Sequence, residues 1–127
     1  MANWYQSLKR SSLTPPDWVF SIVWPILYVM ILISFVLYYS SSGTNKTLGY
    51  TLFFIGLAFN LSWSPVFFRL QRPGLSLVII ILLLVTTYLM IIEFNKINLL
   101  SARLLIPYFA WLSFASYLNG YIWYYNN

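Results

Sequence analysis

Four long apolar runs, separated by short polar segments, dominate the pattern of hydrophobic and polar positions along this chain. The runs cover approximately residues 18–39, 48–68, 75–94 and 104–125. Each holds about 20 residues, enough for an α-helix rising 1.5 Å per residue to cross a hydrocarbon core of about 30 Å. We therefore predict an all-α membrane protein, a transmembrane bundle of four spanning helices in one domain, residues 1–127.

The stretch before the first run, residues 1–16, is too polar to span a membrane. It contains Trp4 and the pair Pro15 and Pro16, and Trp18 follows. Proline is favoured at the first positions of a helix, and an acid such as Asp17 stabilises its positive end. We predict a surface cap followed by a helix that begins near Asp17.

The composition supports lipid as the solvent, because 61% of the residues are hydrophobic and only 7% are charged. The net charge of +5 does not predict nucleic-acid binding, since the bases lie beside the apolar runs, where they meet lipid headgroups. Four bases fall on the side of the termini and three on the other, which favours cytoplasmic termini. These are Lys9, Arg10, Arg69 and Arg72, against Lys46, Lys96 and Arg103.

Reactive side chains are few. The chain has no histidine and no cysteine, so we predict no metal site, Fe–S cluster or disulfide. Glu93, at the end of the third run and three residues before Lys96, is expected to form an interfacial ion pair.

Polar and aromatic residues recur at helical spacing inside three of the four runs. A buried amide or indole N–H needs a hydrogen-bond partner, so these stripes should face one another inside the bundle. They could line a cavity for a large planar ligand, or they could simply join the helices. The residues are Trp24, Tyr28, Asn60, Trp63, Phe67, Trp111, Ala115, Leu118 and Asn119.

Three prolines lie within the apolar runs beside these stripes, namely Pro25, Pro65 and Pro107. Each removes one backbone donor and can kink its helix. The kinks could widen a cavity or serve packing alone.

Several motifs resemble those of the translocator protein family, also known as tryptophan-rich sensory proteins or peripheral-type benzodiazepine receptors. The resemblance covers essentially the whole chain. It rests on Trp4, Tyr5, Pro15, Pro16, Trp18, Trp24, Asn60, Leu61, Ser62, Trp63 and the segment 102–111, with Ala115, Leu118 and Asn119 after it.

The resemblance implies a homodimer that binds tetrapyrroles such as protoporphyrin IX, and isoquinoline or benzodiazepine ligands, with no required cofactor. It implies a pocket beneath a cap of Trp4, Pro15, Pro16 and Trp18. It also implies that Trp24 and Trp111 face the porphyrin, as in bacterial members that degrade it under light. Ligand-binding residues are then Trp24, Tyr28, Asn60, Trp63, Phe67, Trp111, Ala115 and Leu118.

Two departures from the family pattern alter these expectations. Family members have five spanning helices, and here Met1 directly precedes the Trp-Tyr segment, so we expect the first helix to be missing. A partner, a dimer mate or lipid would fill the gap, unless the chain is a truncated product. The sterol-recognition pattern of animal members lacks its base after Tyr121, which argues against sterol binding there.

The favoured function is a multi-pass bacterial inner-membrane protein that binds tetrapyrroles as a sensor, regulator or transport-associated protein. One alternative is an enzyme that degrades porphyrin under light through Trp24 and Trp111. The other is a small dimeric multidrug exporter, which would require an acid within the membrane, and Glu93 lies at the edge.

Overall fold

The computed structural model describes residues 2–43 and 45–126 as a helical protein. Met1, Thr44 and Asn127, which belong to the predicted domain 1–127, lie outside the described residues. No strand occurs in the described part of the chain, and the predicted all-α class is confirmed. The helices are α1 (Ala2–Ser7), α2 (Asp17–Ser40), α3 (Thr47–Ser64), α4 (Pro73–Asn95), α5 (Leu99–Leu104) and α6 (Ile106–Asn126).

Four segments are long and apolar enough to cross a membrane, as predicted. They are α2, then α3 extended to Arg69, then α4, and finally α5 with α6. The last segment begins at Leu99, five residues before the predicted start, because the Asn98 side chain accepts a hydrogen bond from Ser101 N at 3.0 Å and caps α5. The predicted surface cap contains a short helix, α1.

Helix α4 lies at the centre of the packing and contacts α3, α5 and α6. Helix α2 packs against α5 and more sparsely against α6. The backbones of α2 and α3 approach each other at no more than isolated points. The bundle is therefore tight around α4 and loose between α2 and α3.

One end of the bundle, which we call the closed end, is tightly packed. The Ser34 hydroxyl donates to the Ser101 carbonyl at 2.6 Å, and the Ser101 hydroxyl donates to the Ser34 carbonyl at 2.5 Å. Small hydroxyl residues allow such close helix approach within a membrane. The rings of Tyr38 and Phe94 stack with centroids 4.0 Å apart, and both side chains are fully buried.

The three prolines have different consequences. Pro25 lies inside the uninterrupted α2. Pro65 opens a π-helical turn, Pro65–Arg69, and Pro107 follows a break at Leu105. The predicted start of α2 at Asp17 and the ion pair of Glu93 with Lys96, 2.8 Å, are both confirmed.

Candidate ligand-binding site

A cavity of about 580 Å³ lies at the end of the bundle that carries α1 and the end of α6. We call this the aromatic cavity. Its volume falls within the range of small-molecule sites, roughly 300–1,000 Å³. The lining residues are Tyr5, Asp17, Phe20, Trp24, Tyr28, Asn60, Trp63, Ser64, Phe67, Phe68, Ile80, Leu83, Trp111, Leu112, Ala115, Leu118, Asn119 and Ile122.

One wall of the aromatic cavity is built by α2 and α6. The rings of Trp24 and Trp111 meet edge to face with centroids 6.3 Å apart. Phe20 contacts Trp111 at 5.5 Å, and Tyr28 lies 5.7 Å from Trp24. Phe20, Trp24 and Tyr28 follow one another at four-residue intervals, so one face of α2 presents all three rings.

The second wall comes from α3 and the π-helical turn. Trp63 and Phe67 stack with centroids 5.1 Å apart and planes 18° from parallel. Trp4 and Tyr5 from α1 contact Phe67 in edge-to-face geometry, with ring centroids 5.3 and 6.2 Å away. Helix α1 therefore covers this wall, with Tyr5 reaching the cavity itself.

Asn60 joins three helices at the side of the cavity nearer the closed end. Its Oδ1 accepts a hydrogen bond from the Tyr28 hydroxyl, and its Nδ2 donates to the Tyr108 hydroxyl, both at 2.6 Å. An amide has two donor hydrogens and an acceptor oxygen with two lone pairs. Half of the Asn60 capacity is thus used between helices, and half is not used by the described residues.

Asn119 plays the same joining role in α6. Its Oδ1 accepts hydrogen bonds from Trp63 Nε1 at 2.9 Å and Ser76 Oγ at 3.0 Å. Its Nδ2 donates to the Pro73 carbonyl at 2.9 Å. Both lone pairs of the oxygen are occupied, so Asn119 connects α3, α4 and α6 and has little capacity left for a ligand.

The indole N–H of Trp111 differs from that of Trp63. Trp111 Nε1 is shielded from solvent and has no hydrogen-bond partner among the described residues. A buried donor without a partner costs roughly 1–3 kcal/mol. Trp111 also lines the aromatic cavity.

The structure brings together all eight residues that we predicted for ligand binding, since each lines the aromatic cavity. The four predicted cap residues do not line it. Trp4 lies one layer out against Phe67, Pro15 is half-buried, and Pro16 and Trp18 are exposed.

Sequence reasoning missed several lining residues. Phe20 had a signal, because it lies four positions before Trp24. Tyr5 and Asp17 belong to the predicted cap and helix start, but they reach the cavity in place of the residues expected there. Nothing in the sequence distinguishes Ile80 and Leu83 from their neighbours, since α4 is almost uniformly aliphatic around them.

The described residues contain no group of three or more acids that could hold a metal ion. Asp17 is the single carboxylate that lines the aromatic cavity within the described chain. The arrangement offers flat apolar faces and a few hydrogen-bonding groups. Such a lining is typical of small-molecule binding sites.

Fold and site together define an integral multi-pass membrane protein with an aromatic cavity beneath a short N-terminal helix. A model of the TspO/MBR family matches residues 1–124. The chain belongs to this family.

Named relatives agree with this assignment. A tryptophan-rich protein TspO of Chlorobaculum tepidum is 40% identical over 121 residues, which are 93% of this chain and 77% of the relative. Human translocator protein is 34% identical over 123 residues, 94% of this chain and 73% of the relative. Protein CrtK of Rhodobacter capsulatus is 31% identical over 122 residues, 94% and 76% of the two chains.

Proposed function

We propose that the protein binds a large, planar, mostly apolar ligand of the tetrapyrrole class in the aromatic cavity. Isoquinoline and benzodiazepine compounds would compete for the same space. The observation that carries the proposal is the convergence of Trp24, Trp63 and Trp111 on one cavity of about 580 Å³. Binding there would make the protein a sensor, regulator or transport-associated protein of a bacterial inner membrane.

The hydrogen-bonding groups support a ligand with polar acceptors at its edge. Trp111 Nε1 is a buried donor without a partner, and Asn60 retains one unused amide hydrogen and one lone pair. Protoporphyrin IX combines a flat apolar ring with peripheral carboxylates. Its ring would contact the indoles, and a polar substituent could accept from Trp111.

A cavity-filling substitution tests the proposal. Ala115 is buried and lines the cavity, whereas Ala110, five residues earlier on the same helix, is exposed. Ala115→Leu should raise the Kd for protoporphyrin IX about tenfold or more, because the added methyl groups occupy ligand volume. Ala110→Leu adds the same groups on the outer face and should leave the Kd unchanged.

The measurement is saturable quenching of protoporphyrin fluorescence by purified protein in detergent, with helical content and thermal unfolding checked for each variant. Ala115→Val serves as a smaller step if the leucine variant is unstable. Quenching that never saturates, or equal weakening by both leucine variants, would refute the proposed site.

Light-dependent breakdown of the bound porphyrin is a second candidate, favoured by the direct ring contact of Trp24 and Trp111 at the cavity wall. Illumination of the complex should then produce a new absorbing species, and Trp24→Phe should prevent it. A multidrug exporter is not proposed, because Glu93 lies at the closed end and pairs with Lys96.

Dimerisation and orientation are further parts of the proposal. Ala58 and Ser62 form a small-residue pair on α3, and Ala58 is exposed, as a helix interface between protomers would require. The four bases on the side of the termini, against three on the other, favour cytoplasmic termini. Crosslinking through Ala58→Cys would test the dimer interface. Labelling of a cysteine placed in the segment 40–47 from one side of the membrane would test the orientation.

A further inference from the structure

A second cavity of about 300 Å³ lies between the start of α4 and the end of α6. We call it the interfacial cavity. Arg72, Gly74 and Leu75 line one side, and Ile122, Trp123 and Asn126 line the other. Of these six residues, only Ile122 also lines the aromatic cavity. The two cavities are therefore separate apart from this shared residue.

The charge at this end of the bundle is strongly positive. Arg72 is exposed, and no acid pairs with its guanidinium among the described residues. Asn126 holds the backbone of Lys9 through two hydrogen bonds, at 2.9 and 2.8 Å, which brings a second base to the same end. An anion entering the interfacial cavity therefore meets excess positive charge.

The rest of the lining provides hydrogen-bond donors next to apolar surface. Trp123 is 41% exposed and its indole N–H has no partner among the described residues. Gly74 lets that indole approach, since a Cβ on Gly74 would lie only 2.9 Å from Trp123 Nε1. Leu75 is 43% exposed and continues the cavity onto the lipid-facing side of α4.

The depth of the interfacial cavity relative to the membrane indicates which anion we expect there. Pro73 and Asn126 are the terminal residues of two spanning segments, so the cavity lies where headgroups meet hydrocarbon. A basic residue, an interfacial tryptophan and an adjoining apolar surface match a phosphate carried by acyl chains. We propose that the interfacial cavity binds the headgroup phosphate of an anionic phospholipid, with Arg72 supplying the charge and Trp123 a hydrogen bond.

The test uses the purified full-length chain in detergent, with phosphatidylglycerol and phosphatidylcholine supplied in equal amounts. Native mass spectrometry should show preferential retention of phosphatidylglycerol. Arg72→Gln should lower that retention about fivefold, which corresponds to the loss of one base near an anionic headgroup. Arg69→Gln is the matched control, because Arg69 is exposed near the same end and outside the cavity, and it should change retention little.

A second readout follows Trp123 directly. Titration with phosphatidylglycerol should shift its indole signal in a 15N NMR spectrum, and Arg72→Gln should reduce the shift. Equal losses for the two arginine variants would overturn the proposal in favour of general surface charge. Equal retention of phosphatidylcholine, or displacement of the lipid by inorganic phosphate alone, would overturn it as well. Protoporphyrin binding in the aromatic cavity is measured separately, so either proposal can fail alone.

Discussion

At the scale of single residues, the polar groups of the aromatic cavity divide into two kinds. Asn119 forms its hydrogen bonds with other helices, to Trp63, Ser76 and the Pro73 carbonyl, and Asn60 uses half of its capacity in the same way. Trp111 has an indole N–H that no described residue accepts. The first kind stabilises the bundle, and the second is the donor that we propose to bind a ligand acceptor.

Two matched substitutions separate these roles. Trp111→Phe and Trp63→Phe remove the same ring volume, but Trp111→Phe also removes an unpartnered buried donor, so its unfolding temperature should fall less than that of Trp63→Phe, while the Kd for protoporphyrin IX rises about threefold to tenfold. Trp63→Phe breaks the bond to Asn119 and should lower the free energy of unfolding by about 1 kcal/mol.

Thermal unfolding in detergent and fluorescence titration supply the two measurements. If Trp111→Phe proved as destabilising as Trp63→Phe, then Trp111 would have a structural partner, and its proposed contact with a ligand acceptor would be wrong.

At the scale of elements, the closed end depends on close approach between helices. Gly49 at the start of α3 is buried, and a Cβ added there would collide with the Tyr38 hydroxyl. Tyr38 cannot easily move away, because its ring stacks on Phe94 at 4.0 Å and is fully buried. The glycine is thus required by the packing of α2 on α3 at this end.

Gly49→Ala should lower the free energy of unfolding by about 1–3 kcal/mol, since the collision forces an off-rotamer ring or a helix shift. Gly120→Ala is the control, because the nearest atom to its added Cβ, Leu77 Cδ1, lies at an ordinary 3.8 Å. Alanine favours helix over glycine, so this control should be neutral or slightly stabilising.

Chemical or thermal unfolding of the two variants gives the comparison. Equal stability of both would mean that Tyr38 does not occupy the position described. Ligand affinity should be unchanged in each folded variant, since both glycines lie outside the aromatic cavity.

The spanning helices could be predicted because a long apolar segment in lipid must satisfy its backbone hydrogen bonds internally, as a helix does. The inward faces of α2, α3 and α6 could be predicted because residues such as Asn60 and Trp111 mark them chemically. The inward face of α4 could not be predicted, because the inward and outward residues are both aliphatic. Ile80 lines the cavity, whereas Val78 is exposed on the outer face. We could not predict which cap residue reaches the cavity. This depends on the position of α1, and the polar sequence of α1 contains no periodic apolar pattern that would indicate a buried face.

At the scale of the whole molecule, the two ends of the bundle differ in packing and in charge. The closed end is held by the Ser34–Ser101 pair and by Tyr38 on Phe94. The opposite end holds both cavities and the bases Arg69 and Arg72. Trp24 and Trp63 line the aromatic cavity from α2 and α3, two helices whose backbones contact each other little.

We expect a planar ligand to bind among Trp24, Trp63 and Trp111. The six tryptophans give six indole signals in a 15N NMR spectrum, each assignable by a Trp→Phe variant. Protoporphyrin IX should shift the signals of Trp24, Trp63 and Trp111 through its ring current and leave exposed Trp18 unchanged. Shifts at Trp18 without shifts at the three cavity tryptophans would contradict the account.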